Sequence, residues 1–129
     1  MNITNIDHIV LTDRDIDRTV QFYEAALGMS IEKFDEGRVS LKFGSQKINL
    51  HKKDHEIEPK ANNPVPGSAD LCFITDTELD DAMEHVRKKG IEILSGPVTR
   101  TGATGAISSF YFRDPDGNLI EVANHATSS

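Results

Sequence analysis

The sequence predicts an α+β fold made of two copies of one unit, in which a strand and a helix are followed by three strands (βαβββ). Two observations predict it. Displacing the sequence against itself by 62 positions aligns Asp7-His8-Ile9-Val10-Leu11-Thr12 with Ala69-Asp70-Leu71-Cys72-Phe73-Ile74, and Leu27-Gly28-Met29 with Lys89-Gly90-Ile91, without a gap. A pattern that recurs at a fixed interval marks one structural unit used twice. Within each copy the apolar period is about two, then helical, then two again. At 129 residues and 37% hydrophobic content, the chain is the size of one ordinary domain with a core. The expectation is a single domain over residues 1–129, with units at about 4–52 and 68–124 joined by a linker at 53–67. Paired, their curved mixed sheets would form a cup that neither closes alone.

In the first copy a short strand ends near Thr12. Ile16, Val20, Tyr23 and Leu27 then recur at helical spacing, and Gly28 stands where a helix would stop. Strands are expected at Met29 to Asp35, Arg38 to Phe43 and Lys47 to Lys52, with Glu36-Gly37 and Gly44-Ser45 as the hairpin turns. The second helix carries Leu79, Met83 and Val86, preceded by Thr77-Glu78-Leu79-Asp80, which has the form of a capping box. Strands follow near Ile91 to Leu94, Ile107 to Arg113 and Asn118 to Ala123. The stretch Ser95 to Ala106, with Gly96-Pro97, Gly102 and Gly105, reads as a mobile loop. The tail from Asn124 to Ser129 reads as frayed.

A formal net charge of -7 argues against a nucleic-acid or anionic-membrane surface, since either partner would be repelled at long range. Cys72 is the only cysteine, so an internal disulfide and a thiolate zinc cluster are both excluded. No apolar run approaches the roughly 20 residues that span a bilayer, and the first residues do not resemble a leader. The reading is a cytoplasmic protein with a small-molecule partner.

Alternation along the strands selects the polar residues that face the cup. Ile9 and Leu11 suit the helix side of the first strand, which turns His8 and Val10 inward; Ile48 and Leu50 do the same on the fourth, turning Asn49 and His51 inward. Leu71 and Phe73 leave Asp70 and Cys72 inward. In the closing turn and strand, Asp114-Pro115-Asp116-Gly117-Asn118 presets a turn, and Ile120 and Val122 leave Glu121 on the opposite face. His8, His51, Asp70 and Glu121 are therefore the candidate metal ligands. Nitrogen and oxygen donors of this kind suit zinc, nickel, manganese or ferrous iron. His55, His85 and His125 read as solvated surface residues.

The repeat, the opening Ile6-Asp7-His8-Ile9-Val10-Leu11, the Phe22-Tyr23 followed by Leu27-Gly28-Met29, and the closing Phe112-Arg113-Asp114-Pro115-Asp116-Gly117-Asn118-Leu119-Ile120-Glu121 together resemble the vicinal oxygen chelate superfamily. Its members include glyoxalase I, extradiol dioxygenases, fosfomycin-resistance transferases and bleomycin-binding proteins. Phe43 to His51, Pro64 to Asp70 and Gly96 to Ala103 resemble the branch that contains glyoxalase domain-containing protein 5 and bacterial virulence-associated proteins. The resemblance implies that His8 and Glu121 match the first and last metal ligands. His51 and Asp70 depart from the glyoxalase I pattern, in which those strands supply Glu and His.

For a glyoxalase-like site the resemblance implies isomerisation of a 2-oxoaldehyde thiol adduct. A divalent metal, zinc or nickel first and manganese or iron next, would hold two vicinal oxygens as a Lewis acid. Glu121 would be the base that moves the proton. Cations are needed for the anionic ends of a substrate, and Arg100 is the first candidate, with Lys47 and Arg113 behind it. The alternatives are a ferrous dioxygenase and a non-catalytic small-molecule or antibiotic-binding protein; a fosfomycin-type transferase ranks lower, as its basic loop is not evident. Relatives pair their units within one chain or across a two-fold axis, and a homodimer is expected.

Overall fold

A computed structural model describes residues 1–126, in two compact units, Met1–Ser68 and a second that begins at Ala69. Each holds one helix and one four-stranded mixed sheet, so the fold is α+β. The first unit runs β1 (His8–Asp13), α1 (Ile16–Leu27), β2 (Ser30–Phe34), β3 (Arg38–Phe43) and β4 (Gln46–Lys52). Its strands lie in the order β1-β4-β3-β2, with β1 and β4 parallel and the other pairs antiparallel.

Local chemistry sets the limits of α1. Asp15 caps it, its carboxylate accepting from the Arg18 amide at 3.1 Å. Gly28, at φ 67, ends it in the left-handed conformation, and its amide donates to Glu24 at 3.0 Å. The apolar stripe is centred on Thr19, Tyr23 and Ala26, which are buried, with Ile16, Val20 and Leu27 half-buried beside them. α1 packs on β2 and β4, and Leu11, Leu41, Ile48 and Leu50 are buried with it. On β2, the Phe34 ring receives Arg38 of β3 at 4.8 Å and Lys47 of β4 at 4.2 Å. For a lysine two strands away to reach that ring, the sheet must curl.

The second unit repeats the plan with β5 (Asp70–Ile74), α2 (Leu79–Lys88), β6 (Ser95–Gly102), β7 (Gly105–Arg113) and β8 (Leu119–His125), in the order β5-β8-β7-β6. Leu79, Met83 and Val86 are buried as their spacing predicts, and α2 packs on β7. Phe110, Phe112 and Ile120 are fully buried.

Four expectations are corrected here. Residues Ile91 to Leu94 form no strand; the third sheet position is taken by β6, which occupies most of the expected loop. Val98, Thr99 and Thr101 are β-branched and favour extended backbone, and they pair with Ser109, Ser108 and Ala106 of β7. Pro97 has no amide to donate, and the ladder shifts register between Ser95 and Val98, as a bulge on an edge strand allows. Gly96, at φ 121, lies so close to Phe110 that a Cβ there would meet its Cα at 2.6 Å. Glycine is required at that point.

The capping box at Thr77 does not form. Glu78 occupies the cap position without a side-chain bond, and the segment is held instead by the Asn124 amide, which donates to the carbonyls of Thr75 at 2.9 Å and Thr77 at 2.8 Å. This also corrects the frayed tail: Asn124 and His125 belong to β8, while residues 127–129 of that expectation lie outside those described.

The closing turn is a network around one carboxylate. Asp114 accepts from the amides of Asp116 and Asn118, each at 2.9 Å, and from the Asn118 side chain at 2.7 Å. Asn118 then accepts from the Ala69 amide at 2.9 Å, and Leu119 donates to the Ala69 carbonyl at 3.0 Å. These bonds fix where β8 starts beside β5. Among the described residues no helix is long and apolar enough to cross a membrane.

Candidate functional site

Residues paired across a ladder share a face, so the registers define rungs on each sheet. On the face of the first sheet away from Leu11 and Leu50, one rung is His8–Lys47–Lys42–Ser30 and the next is Val10–Asn49–Ser40–Glu32. Thr12 and His51 share a third. On the second sheet the corresponding face carries Asp70–Leu119–Arg113, then Cys72–Glu121–Tyr111–Ser95, then Ile74–Ala123–Ser109–Val98. A fourth rung is His125–Ile107–Arg100.

The first unit brings His8 beside Asn49 and not beside His51. His51 lies four positions further along the strands than His8, about 13 Å at the usual rise per residue. One ion with metal–nitrogen bonds of about 2 Å does not reach both. His8 is exposed, and its Nδ1 lies 2.8 Å from Asp7 Oδ1. That bond, with the imidazole beside it, holds the Asp7 carboxyl below the ordinary value, and it leaves Nε2 as the nitrogen open to a ligand. Asn49 is 5% exposed and Ser40 fully buried. Asn49 Oδ1, Ser40 Oγ and His51 Nε2 are sealed from solvent with no hydrogen-bond partner among the described residues.

Burial pushes the His51 imidazole below its ordinary value, the Arg38 charge adds to this, and Glu56 opposes it. The unfolded chain therefore takes up a proton near pH 6.5 while the folded chain resists. The contribution of a neutral His51 to stability is fully present above that pH and is lost as pH falls toward the lower folded value. In urea titrations over that window, the wild type is expected to lose up to about 1.4 kcal/mol per pH unit, and His51→Gln to show a flatter slope.

The second unit places Asp70 diagonally from Glu121, one rung away. Glu121 is half-buried, and its Oε2 is sealed from solvent with no hydrogen-bond partner among the described residues. Its cross-strand neighbours are Cys72 and Tyr111. Burial pushes the Cys72 thiol up to about 11, helped by the charge of Glu121, the hydrogen bond to it, and Asp70. The thiol is thus protonated at neutral pH and donates to Glu121.

A cavity of about 570 Å³ opens on this face, lined among others by Cys72, Glu121, Tyr111, Arg100, Ile107 and His125. Small-molecule sites have volumes of this order. Of the three candidate cations, Arg100 alone lines it. Arg113 donates to the Gly117 carbonyl at 3.2 Å, in the closing turn, and Lys47 covers Phe34 in the other unit.

Three residues, two at this cavity and one on the first sheet, were not singled out as site residues by the sequence. His125 reads as tail yet lines the cavity, and Tyr111 was placed in a strand without a role. Asn49 shares the inward parity of His51. Parity cannot choose between positions 49 and 51, but the ladder can. His8 and Asp70 are equivalent under the repeat, their partners are Lys47 and Leu119, and two positions on from these stand Asn49 and Glu121. Asn49 is the counterpart of Glu121. Among the described residues no group of three or more His, Cys, Asp or Glu side chains is placed to hold a metal ion.

The family model described as the Glyoxalase/Bleomycin resistance protein/Dioxygenase superfamily matches residues 5–122. Virulence protein STM3117 of Salmonella typhimurium is 56% identical over 97% of this chain and 87% of that protein. Its crystal structure has a TM-score of 0.96, covering 98% of this chain and 100% of the other. Glyoxalase domain-containing protein RDO1 of Mycosarcoma maydis is 51% identical over 97% of this chain and 70% of its own length. The crystal structure of a lactoylglutathione lyase from Agrobacterium tumefaciens is 26% identical, with a TM-score of 0.73 over 96% of each chain.

Proposed function

Because this chain belongs to the Glyoxalase/Bleomycin resistance protein/Dioxygenase superfamily, we propose that it is a divalent-metal-dependent lyase or isomerase of glyoxalase type. Its substrate would be a small molecule with two vicinal oxygens, such as a 2-oxoaldehyde thiol adduct. The observation that carries this reading is Glu121, whose carboxylate borders a cavity while one of its oxygens is buried without a partner. Each unit offers a donor pair of its own: His8 with Asn49, and Asp70 with Glu121. The orphaned oxygen of Glu121, one rung from Asp70, suits an ion, and this pair of oxygen donors favours manganese or ferrous iron over the zinc or nickel expected from the sequence. His51 takes the part of a buried neutral imidazole.

A bound ion would supply Lewis acidity toward the two substrate oxygens. Glu121 accepts the proton released from carbon and returns it to the neighbouring carbon, and the protonated Cys72 thiol donates a hydrogen bond that keeps the carboxylate turned to the cavity. Asn49 also favours a second reading, a small-molecule-binding protein without catalysis, because a neutral amide is a weaker ligand than a carboxylate. A homodimer is part of the proposal.

Elemental analysis of protein stripped with chelator and reloaded in turn with manganese, iron, zinc and nickel tests this, with absorbance assays on methylglyoxal and glutathione. Retained metal with substrate consumption is the expected result. Retained ligand with neither metal nor turnover would instead establish the binding protein.

A further inference from the structure

We infer that Tyr111 is the hydrogen-bond donor that receives the carbonyl oxygen of a small, uncharged hydroxyketone or oxoaldehyde, beside Glu121. The inference rests on the reading above and deepens it by naming the group that holds the oxygen while Glu121 moves the proton. A phenol offers one donor and two acceptor lone pairs, whereas a guanidinium has donors only. Arg100 Nε donates to the Tyr111 hydroxyl at 3.1 Å, so it occupies a lone pair and leaves the O–H unspent. Among the described residues no acceptor takes that O–H. Tyr111 lines the cavity and stands on the rung of Glu121, on the adjoining strand. Side chains paired in this way start about 5 Å apart. One small molecule can touch both.

Arg100 is a positioning residue in this arrangement. It starts on the rung of Ile107 and His125, and its side chain passes the intervening rung of Val98, Ser109 and Ala123 to reach Tyr111. Nη1 donates to the Thr99 carbonyl at 3.1 Å, which fixes the plane of the guanidinium. The charge behind the phenol oxygen draws electron density from the O–H and strengthens it as a donor. The apolar Ile74 and Ile107 in the same wall lower the dielectric in which that bond acts. When the C–H bond beside the carbonyl breaks, its proton goes to Glu121 and its electron pair forms a carbon–carbon double bond. The carbonyl π pair moves onto the oxygen, where the growing negative charge strengthens the bond from Tyr111. Tyr111 keeps its own proton throughout, so the step consumes nothing and ends when Glu121 returns its proton to carbon.

The carbonyl stretch of bound hydroxyacetone, labelled with heavy carbon at the carbonyl and followed by infrared difference spectroscopy at matched metal content, tests this without turnover. Hydroxyacetone is uncharged, so it asks nothing of Arg100 as a cation. The stretch is expected at lower wavenumber in the wild type than in Tyr111→Phe, and calorimetry should show binding about tenfold weaker in the variant, the loss of one hydrogen bond. Tyr111→Phe removes a single oxygen, so its urea midpoint should stay near the wild type. Arg100→Gln, which keeps the phenol, should move the stretch only part of the way, and Arg100→Lys should restore some of that shift. Absence of binding, or a stretch and affinity that Tyr111→Phe leaves in place, would overturn the inference even where Glu121→Gln abolishes turnover. A stretch displaced as expected in a wild type that turns over no adduct would bear the inference out and remove the catalytic reading alone.

Discussion

Glu121→Gln is expected to reduce turnover of the methylglyoxal–glutathione adduct by about 10²- to 10⁴-fold, the range that a positioned general base contributes. Glutamine keeps the shape of the side chain and an oxygen that accepts from Cys72, but it cannot take up a proton at neutral pH. The cavity and the fold should survive, so the circular dichroism spectrum and the urea midpoint should stay close to wild type. Metal retention should also fall, as a charged oxygen donor becomes a neutral one. A variant that turns over at the wild-type rate would remove Glu121 from the chemistry, whatever metal the protein holds.

Asp114→Ala is expected to lower the unfolding free energy by about 3 kcal/mol, because hydrogen bonds to a charged acceptor contribute more than neutral ones and their loss strands buried donors. Asp114 gathers three such bonds, and Asn118, which supplies two of the donors, is itself the tether to Ala69. The loss should therefore spread to the β5–β8 pair. Hydrogen exchange of the Ala69 and Leu119 amides should accelerate more than that of amides in α1. A urea midpoint unchanged from wild type would show that the turn is set by Pro115 and Gly117 alone.

Much of this architecture was legible in the residues because it rests on periodicity. Leu79, Met83 and Val86 form the buried stripe that their spacing announces, and Gly28 ends α1 in the conformation that glycine favours. The closing turn was legible for the same reason, its residue types matching one backbone path. β6 was not. Its glycines and Pro97 are the usual signs of a loop, and only pairing with β7 turns them into a bulged edge strand. The failure at Thr77 has a related cause: a capping box is a local arrangement, and a distant side chain, Asn124, reaches the segment instead.

The candidate site was legible in part. Parity placed His8, Asp70 and Glu121 on the faces where the ladders have them, since parity survives small errors in strand limits. Register does not, and it was register that separated His51 from His8 and brought Asn49 forward. The contact of Arg100 with Tyr111 spans a rung, a reach that no spacing in the sequence encodes.

The bulge at Pro97 has a further consequence for how the molecule keeps to itself. β6 is an outer strand of its sheet, and an outer strand offers open backbone groups to any passing strand. Pro97 supplies no donor, and the register shift beside it bends the ladder away from a straight template. The edge that carries the hairpin of Arg100 is thereby a poor template for pairing with a further strand.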